Sequence, residues 1–314
     1  AGGIGGVSDE LQKRWESMVA RERRYEAQVH EVRTTLSTLQ QSSLTLKREL
    51  ERWLKQRPDA PPGGKAADVA VHTNASTTID SYKYVGFEDQ FRGSPEQIRI
   101  RLEAYLPDFE GASDVLDIGC GRGEFLDLLR ERGIGGRGLD LNHEMVEVCR
   151  SRGLTADEGD ALGYLEGLPD GSLGGIVAAQ VVEHLDPGYL MQTLDAAYHK
   201  LRPGSKIILE TINPACWYAF FESYIRDVTH VRPLHPDTLK YLMISSGFQK
   251  VDIRYSAPFP DDSKLQPVPK PLAATGGEPT ADIGAVISTV NENASKLNEL
   301  LFTHLDYAAI GERL

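Results

Sequence analysis

An α/β fold built on a mostly parallel sheet, with a glycine-rich strand-to-helix turn at its centre, is what the sequence predicts, on three observations. The first is Val115-Leu116-Asp117-Ile118-Gly119-Cys120-Gly121-Arg122-Gly123-Glu124-Phe125-Leu126, in which a short apolar run meets three alternating glycines and then a helix. Glycines at a strand-to-helix turn let the backbone approach a ligand, and the helix N-terminus faces that ligand with free N–H groups. The second is Gly138-Leu139-Asp140-Leu141. Its carboxylate ends a second strand roughly 20 residues further on, where it can accept from both hydroxyls of a ribose. The third is the continuation, in which apolar strands at Gly175–Ala179 and Lys206–Glu210 alternate with helical patterns.

In chain order, residues 1–7 read as a flexible lead-in, Gly2-Gly3-Ile4-Gly5-Gly6, and because Ala1 is not a Met, residues are expected to precede it. Apolar residues then step by four and three: Leu11, Trp15, Met18, Tyr25, Val29, Val32, Leu36, Leu39, Leu46, Leu50 and Trp53, interrupted by Glu22 and Ser43. This heptad predicts a coiled coil over 8–57, hence a homo-oligomer, unless one long helix folds back on its own domain. The segment carries a net charge of +3 and leaves −15 for the rest, which suits contact with an acidic partner or membrane surface. Residues 58–80, with Pro61-Pro62-Gly63-Gly64, read as a linker, and 81–314 as the catalytic-type domain.

Within that domain, Ser94-Pro95-Glu96 opens a helix, Asn142 caps another, and a further helix runs through Tyr189, Leu190 and Leu194. After the strand at Lys206–Glu210 come Trp217, Tyr218, Phe220 and Phe221, then a histidine-bearing loop, Arg226 to Pro236. A helix over Asp237–Ser246 and a strand over Gln249–Tyr255 follow. Pro-rich residues 258–280 are expected to be irregular. Ile283, Val286, Ile287, Val290, Ala294, Leu297, Leu300 and Leu301 predict an amphipathic helix, and Leu305–Ile310 a last strand. Residues 258–304 are therefore expected to be an insertion whose helix covers the active site or packs on the coiled coil.

The composition is that of a globular protein, 40% hydrophobic and 25% charged, and the net charge of −12 argues against a nucleic-acid binder with a broad basic surface. Cys120, Cys149 and Cys216 have no metal or redox spacing, which predicts free thiols in a reducing compartment. No run is long enough to span a membrane and no secretory signal is visible. The expected location is cytoplasmic, peripheral at most to the inner face of a membrane.

The glycine turn departs from a dinucleotide fingerprint, since its third glycine arrives one residue early and Glu124 follows. Glu124 and Asp117 would both repel a pyrophosphate, yet suit a ligand with an amino group and a sulfonium. Asp117 to Gly123 resembles the first motif of the class I S-adenosylmethionine-dependent methyltransferases, and the resemblance covers about residues 82–260 plus the last strand. It implies a Rossmann-like seven-stranded sheet whose last strand is antiparallel, with S-adenosyl-L-methionine as cofactor. By the same resemblance, Asp117, Gly119, Gly121 and Gly123 form the cofactor turn, Asp140 takes the ribose, and Asp160 with Ala161 takes the adenine. Gln180 stands beside the cofactor. The aromatic segment Tyr82 to Gly93 would be a lid, with Arg92 meeting the methionine carboxylate and Tyr84 lining the pocket.

Methyl transfer from a sulfonium is an in-line displacement, so the protein's task is to hold nucleophile and methyl together away from water. An alcohol acceptor also needs a base. The candidates are His184, His230 and His235, with Glu183 and Asp227 as orienting carboxylates. Gln180, Glu183 and His184 stand at i, i+3 and i+4, so a single helical face is expected to present all three. With His230 they resemble the magnesium-binding Glu-x-x-Glu-His and distant His of small-RNA 2′-O-methyltransferases, which implies that Glu183, His184 and His230 hold a divalent metal such as Mg²⁺. Gln180 in place of the first glutamate weakens that hold.

Asp227–Pro236, taken with Phe87–Gly93, also resembles methyltransferases found with glycosyltransferases of bacterial surface-polysaccharide synthesis, some of which carry coiled coils. That implies O-methylation of a sugar hydroxyl on a glycan or glycolipid intermediate, as a chain-terminating or decorating step, with glycosyltransferases as partners and no nucleic acid. The alternatives are a small-molecule O- or N-methyltransferase of secondary metabolism or quinone synthesis, and a non-catalytic coiled-coil scaffold with a relic cofactor site.

Overall fold

The structure, a computed structural model, describes residues 94–269 and 281–314. The coiled-coil and linker expectations, and the lid with Tyr84 and Arg92, lie outside the described residues.

Helix α1 (Pro95–Glu103) starts at a capping box in which Ser94 Oγ accepts from Gln97 N–H and Gln97 Oε1 accepts from Ser94 N–H. Strands and helices then alternate: β1 (Val115–Ile118), α2 (Glu124–Glu131), β2 (Gly136–Asp140), α3 (His143–Ser151), β3 (Ala156–Glu158), α4 (Ala161–Glu166) and β4 (Leu173–Ala179). Next come α5 (Pro187–Lys200), β5 (Leu201–Ile212), a short α6 (Trp217–Ala219) running on into a π turn at Phe220–Tyr224, and α7 (Pro236–Ser245). The chain closes with β6 (Gln249–Pro258), α8 (Ala281–Leu301) and β7 (His304–Glu312). The seven strands form one sheet in the order β3-β2-β1-β4-β5-β7-β6, and only β7 runs antiparallel to its neighbours.

Strand alternation sends neighbouring residues to opposite faces, and the core divides accordingly. Leu116, Ile176, Ile207 and Leu209 pack with Leu190, Leu194, Leu239 and Met243 of α5 and α7. Val115, Val177 and Ile208 pack with Ile98, Leu102, Leu126, Leu129, Val146 and Cys149 of α1, α2 and α3. Both faces are covered, as a parallel sheet requires. Asn142, Asp160 and Asp186 cap α3, α4 and α5 with their side chains. All three cysteines are free and buried.

The strand at Lys206–Glu210 proves longer at both ends. Residues 264–268 are less free than their composition suggests. The Asn298 amide donates to and accepts from the Leu265 backbone (both 2.9 Å), and Asn291, two helical turns earlier, does the same to Val268. No described helix is long and apolar enough to cross a membrane.

Candidate active site

The carboxyl ends of β1, β2 and β4 converge on the glycine turn. Gly119, Gly121 and Gly123 all take positive φ, and a Cβ on Gly119 would overlap Val181 Cγ2. Gly121 N–H donates to Asp140 Oδ2 (2.9 Å) while Asn142 N–H donates to Oδ1 (2.8 Å). Two backbone amides thus fix the Asp140 carboxylate and leave lone pairs on both oxygens for a diol. This donor and acceptor set fits the ribose of S-adenosylmethionine. Asp117 is buried beside the turn. Glu124 is almost buried at the start of α2 and is paired with Arg122 Nε at 2.8 Å, which offsets the charge expected to face the ligand.

Asp160 plays two parts. Its Oδ1 caps α4 by accepting from Gly163 N–H (2.9 Å) and also accepts from Tyr189 O–H (2.9 Å). These bonds hold its carboxyl below the usual range. The Tyr189 oxygen accepts in turn from Leu162 N–H, so Asp160 and Ala161 sit in a fixed loop after β3.

Replacing Asp140 with alanine is expected to weaken S-adenosylmethionine binding about 10–100-fold for each ribose hydrogen bond removed, since each charge-assisted hydrogen bond contributes about 1.5–3 kcal/mol. Calorimetric titration measures this, and unchanged affinity would remove ribose recognition from Asp140.

Gln180, expected on one helical face with Glu183 and His184, is not there. The turn after β4 is a short 3₁₀ segment, Val182–His184, and Gln180 precedes it in the left-handed region (φ 58°). That backbone reversal turns its amide toward Glu210 Oε1 (3.4 Å) and Asp306 Oδ1 (3.3 Å). Those carboxylates belong to a network that sequence reasoning missed. Glu210 is wholly buried, accepts from Tyr105 O–H at 2.5 Å and faces Arg101 Nε at 3.0 Å; Asp306 lies 3.8 Å from Arg101 Nη1. Burial, and then the Glu210 charge, push Asp306 up to about 6. Burial and Glu210 also raise the Tyr105 hydroxyl.

Glu183, His184 and His230 do come together, each offering a ligand-type atom within 4.8 Å of the others. The loop bearing His230 is pinned to the turn after β4 by Val231 N–H donating to the Glu183 carbonyl (2.9 Å). A ring stack supports it: Phe220 on Tyr224 (5.6 Å), Tyr224 on His230 (4.6 Å), and His230 against His184 (4.7 Å).

The partners fix the tautomers. His230 Nδ1 lies 2.7 Å from the Tyr224 carbonyl, which can only accept, so Nδ1 carries a proton. Thr229 Oγ1 donates to Asp227 Oδ1 (2.6 Å) and lies 3.0 Å from His184 Nδ1, so His184 also donates through Nδ1. Asp227 therefore orients His184 through Thr229. It does not orient His230, which the Tyr224 carbonyl holds; its Oδ2 instead stands 3.7 Å from His230 Nε2.

Glu183 is not the orienting carboxylate either. It is 1% exposed and, among the described residues, neither carboxyl oxygen has a hydrogen bond. Burial pushes it up to about 8, and Thr211 offsets part of this without reaching hydrogen-bond geometry. His235 is outside the cluster. It caps α7, its Nδ1 accepting from Asp237 N–H at 3.2 Å.

A family model described as a methyltransferase domain matches residues 90–253. A solved S-adenosylmethionine-dependent methyltransferase from Archaeoglobus fulgidus is 41% identical, covering 73% of this chain and 99% of that one, with a TM-score of 0.65. A ubiquinone biosynthesis O-methyltransferase from Xylella fastidiosa is 31% identical over 107 residues, 32% of this chain and 42% of that protein. A probable S-adenosylmethionine-dependent methyltransferase from Mycolicibacterium smegmatis is 31% identical over 141 residues, 44% of this chain and 53% of that protein. The chain thus spans about half the length, or less, of these curated relatives. With the strand order, the glycine turn and the fixed Asp140 carboxylate, these matches place the chain in the class I S-adenosylmethionine-dependent methyltransferase family.

Proposed function

We propose that this methyltransferase acts on oxygen, and that its acceptor is a sugar hydroxyl of a glycan or glycolipid intermediate. The observation that carries the oxygen reading is the Asp227–Thr229–His184 chain of hydrogen bonds beside His230. An amine already carries a nucleophilic lone pair, whereas a hydroxyl has to lose its proton as it attacks. S-adenosylmethionine, when bound, supplies an electrophilic methyl group. His184 Nε2 takes the hydroxyl proton, and the growing imidazolium charge is held by Asp227 through Thr229. His230 stands against it, locked by Tyr224, and the Phe220–Tyr224–His230 stack keeps water from that side. Phe221, Ile225, Val228 and Val231, all exposed in the segment that ends in this loop, favour an acceptor with an apolar portion or lipid carrier. That supports the glycolipid form of the reading and a peripheral position at a membrane, in a chain-ending or decorating step.

A second reading adds a divalent cation on Glu183, His184 and His230. The observation favouring it is the buried Glu183 carboxyl, which has no hydrogen-bond partner among the described residues and lies with His184 and His230 in a group whose ligand-type atoms are within 4.8 Å of one another. A small-molecule hydroxyl, as the relatives named for ubiquinone biosynthesis suggest, remains the competing acceptor.

The test is transfer of an isotopically labelled methyl group by the full chain to two pools, one of lipid-linked and free glycans, one of small phenols and amines. Label on a methoxy sugar, located by mass spectrometry, is the expected result. Label on the phenol pool alone would move the acceptor to small molecules, and label on amines alone would overturn the oxygen reading. Running both pools with and without a chelator separates the metal reading from base catalysis.

A further inference from the structure

Tyr189, in the first turn of α5, directs its hydroxyl entirely at the loop that follows β3. Its oxygen accepts from Leu162 N–H (2.9 Å), and its proton goes to Asp160 Oδ1 (2.9 Å). That direction is forced. Asp160 is held below the usual carboxylate range, and an ionised carboxylate can only accept. Burial raises the Tyr189 hydroxyl, so it stays a donor at neutral pH. Gly163 N–H donates to Oδ1 as well (2.9 Å), so both bonds fall on Oδ1 and neither on Oδ2.

Two donors from two helices, closing on one oxygen, fix the rotation of the carboxylate. A single capping bond would let it swing. Tyr189 is half-buried while Asp160 is exposed, so the clamp closes from the protein side. Space is kept for the other oxygen too, since a Cβ on Gly163 would fall 2.8 Å from Asp160 Oδ2. An acceptor held in one place reads a donor. On adenine that donor is the 6-amino group, whereas a 6-oxo purine sets oxygen against oxygen and leaves both unpaired. We infer that Tyr189 is the positioning residue that makes the cofactor site selective for a 6-aminopurine, by fixing Asp160 Oδ2 toward the base. This rests on Asp160 as the residue that takes the adenine.

A tyrosine that only packed α5 against α4 would leave that selectivity alone. Asparagine at position 160 separates the two roles. Its amide has one oxygen and one NH₂ group, and a pair of donors accepts only the oxygen. The clamp then sends Nδ2 to the place of Oδ2, where it offers a donor to a 6-oxo group.

The test is calorimetric titration of the full chain with S-adenosylhomocysteine and with its 6-oxo analogue, S-inosylhomocysteine. The parent should prefer the 6-amino compound by about 10–100-fold, the span of one hydrogen bond to a charged group. Tyr189→Phe should narrow that preference at least about fivefold. Tyr164→Phe removes a hydroxyl from the same α4, one that donates to Asp157 (3.0 Å), and should leave the preference unchanged. Asp160→Asn should move the preference toward S-inosylhomocysteine further than Asp160→Ala does, and adding Tyr189→Phe should shrink that difference. Equal weakening of both ligands by Tyr189→Phe, equal narrowing by Tyr164→Phe, or an Asp160→Asn shift no larger than that of Asp160→Ala would each overturn the role of Tyr189. An unchanged preference in Asp160→Ala would instead overturn the reading of Asp160 beneath it.

Discussion

His184→Ala is expected to lower turnover about 10²–10⁴-fold on a hydroxyl acceptor, the range over which a positioned general base contributes, while S-adenosylmethionine affinity changes less than twofold. The separation follows from where the residue sits. Asp140, the residue expected to take the ribose, ends β2 beside the glycine turn, whereas His184 lies beyond β4 and touches Thr229. Thr229→Val, which breaks the 3.0 Å and 2.6 Å links of the relay, should cost a smaller factor. His230→Ala should cost as much as His184→Ala, since it removes the ring that backs His184 and ends the stack on Tyr224. Full activity in both histidine variants on an identified acceptor would remove this cluster from catalysis.

The cofactor half of the fold was legible because its constraints are local. A glycine turn, an acid closing the next strand and Asn142 as a cap all act within a few residues, and the structure forms the turn and the cap at those positions. The same locality made Gln180 misleading. Spacing of i, i+3 and i+4 presupposes a helix, yet the chain leaves β4 through a left-handed residue before its 3₁₀ turn. Nothing in Ala179-Gln180-Val181 signals that reversal. The Arg101–Glu210–Asp306 network was hidden for another reason. Each acid reads as an ordinary strand residue, and they become neighbours only because β7 inserts beside β5. His235 was ambiguous because a histidine before Pro-Asp is equally a loop base or a helix cap, and the backbone of α7 decides for the cap. Among the described residues, α8 shows both sides of the problem. Its apolar pattern predicted the helix, but only exposure shows that most of its apolar residues face outward.

Glu183→Gln should make the metal-free protein more stable above about pH 4.5, with a gain that grows up to about pH 8. Burial raises this carboxyl to about 8, so the folded state holds its proton several pH units longer than the unfolded chain, which releases it near the ordinary glutamate value. Below about pH 4.5 both states are protonated and the residue has no effect on the pH dependence. As pH rises toward 8 the unfolded chain is favoured by its freedom to ionise, and above 8 the folded state carries a buried charge without a hydrogen bond. Stability is therefore lost across pH 4.5 to 8, by on the order of 3–5 kcal/mol if the whole shift is expressed. Glutamine cannot ionise, so at pH 8.5 the variant should melt about 5–15 °C above the wild type, with little difference at pH 4.5. A cation on Glu183, His184 and His230 would reverse this order, because it stabilises the ionised carboxylate and displaces close to one proton per site at pH 7. Melting curves at the two pH values, with and without Mg²⁺ or Mn²⁺, therefore read both questions together. A metal-induced rise in Tm confined to the wild type at pH 8 supports the cation site. Equal melting of both proteins at pH 8.5 without metal would mean that Glu183 ionises freely in the fold.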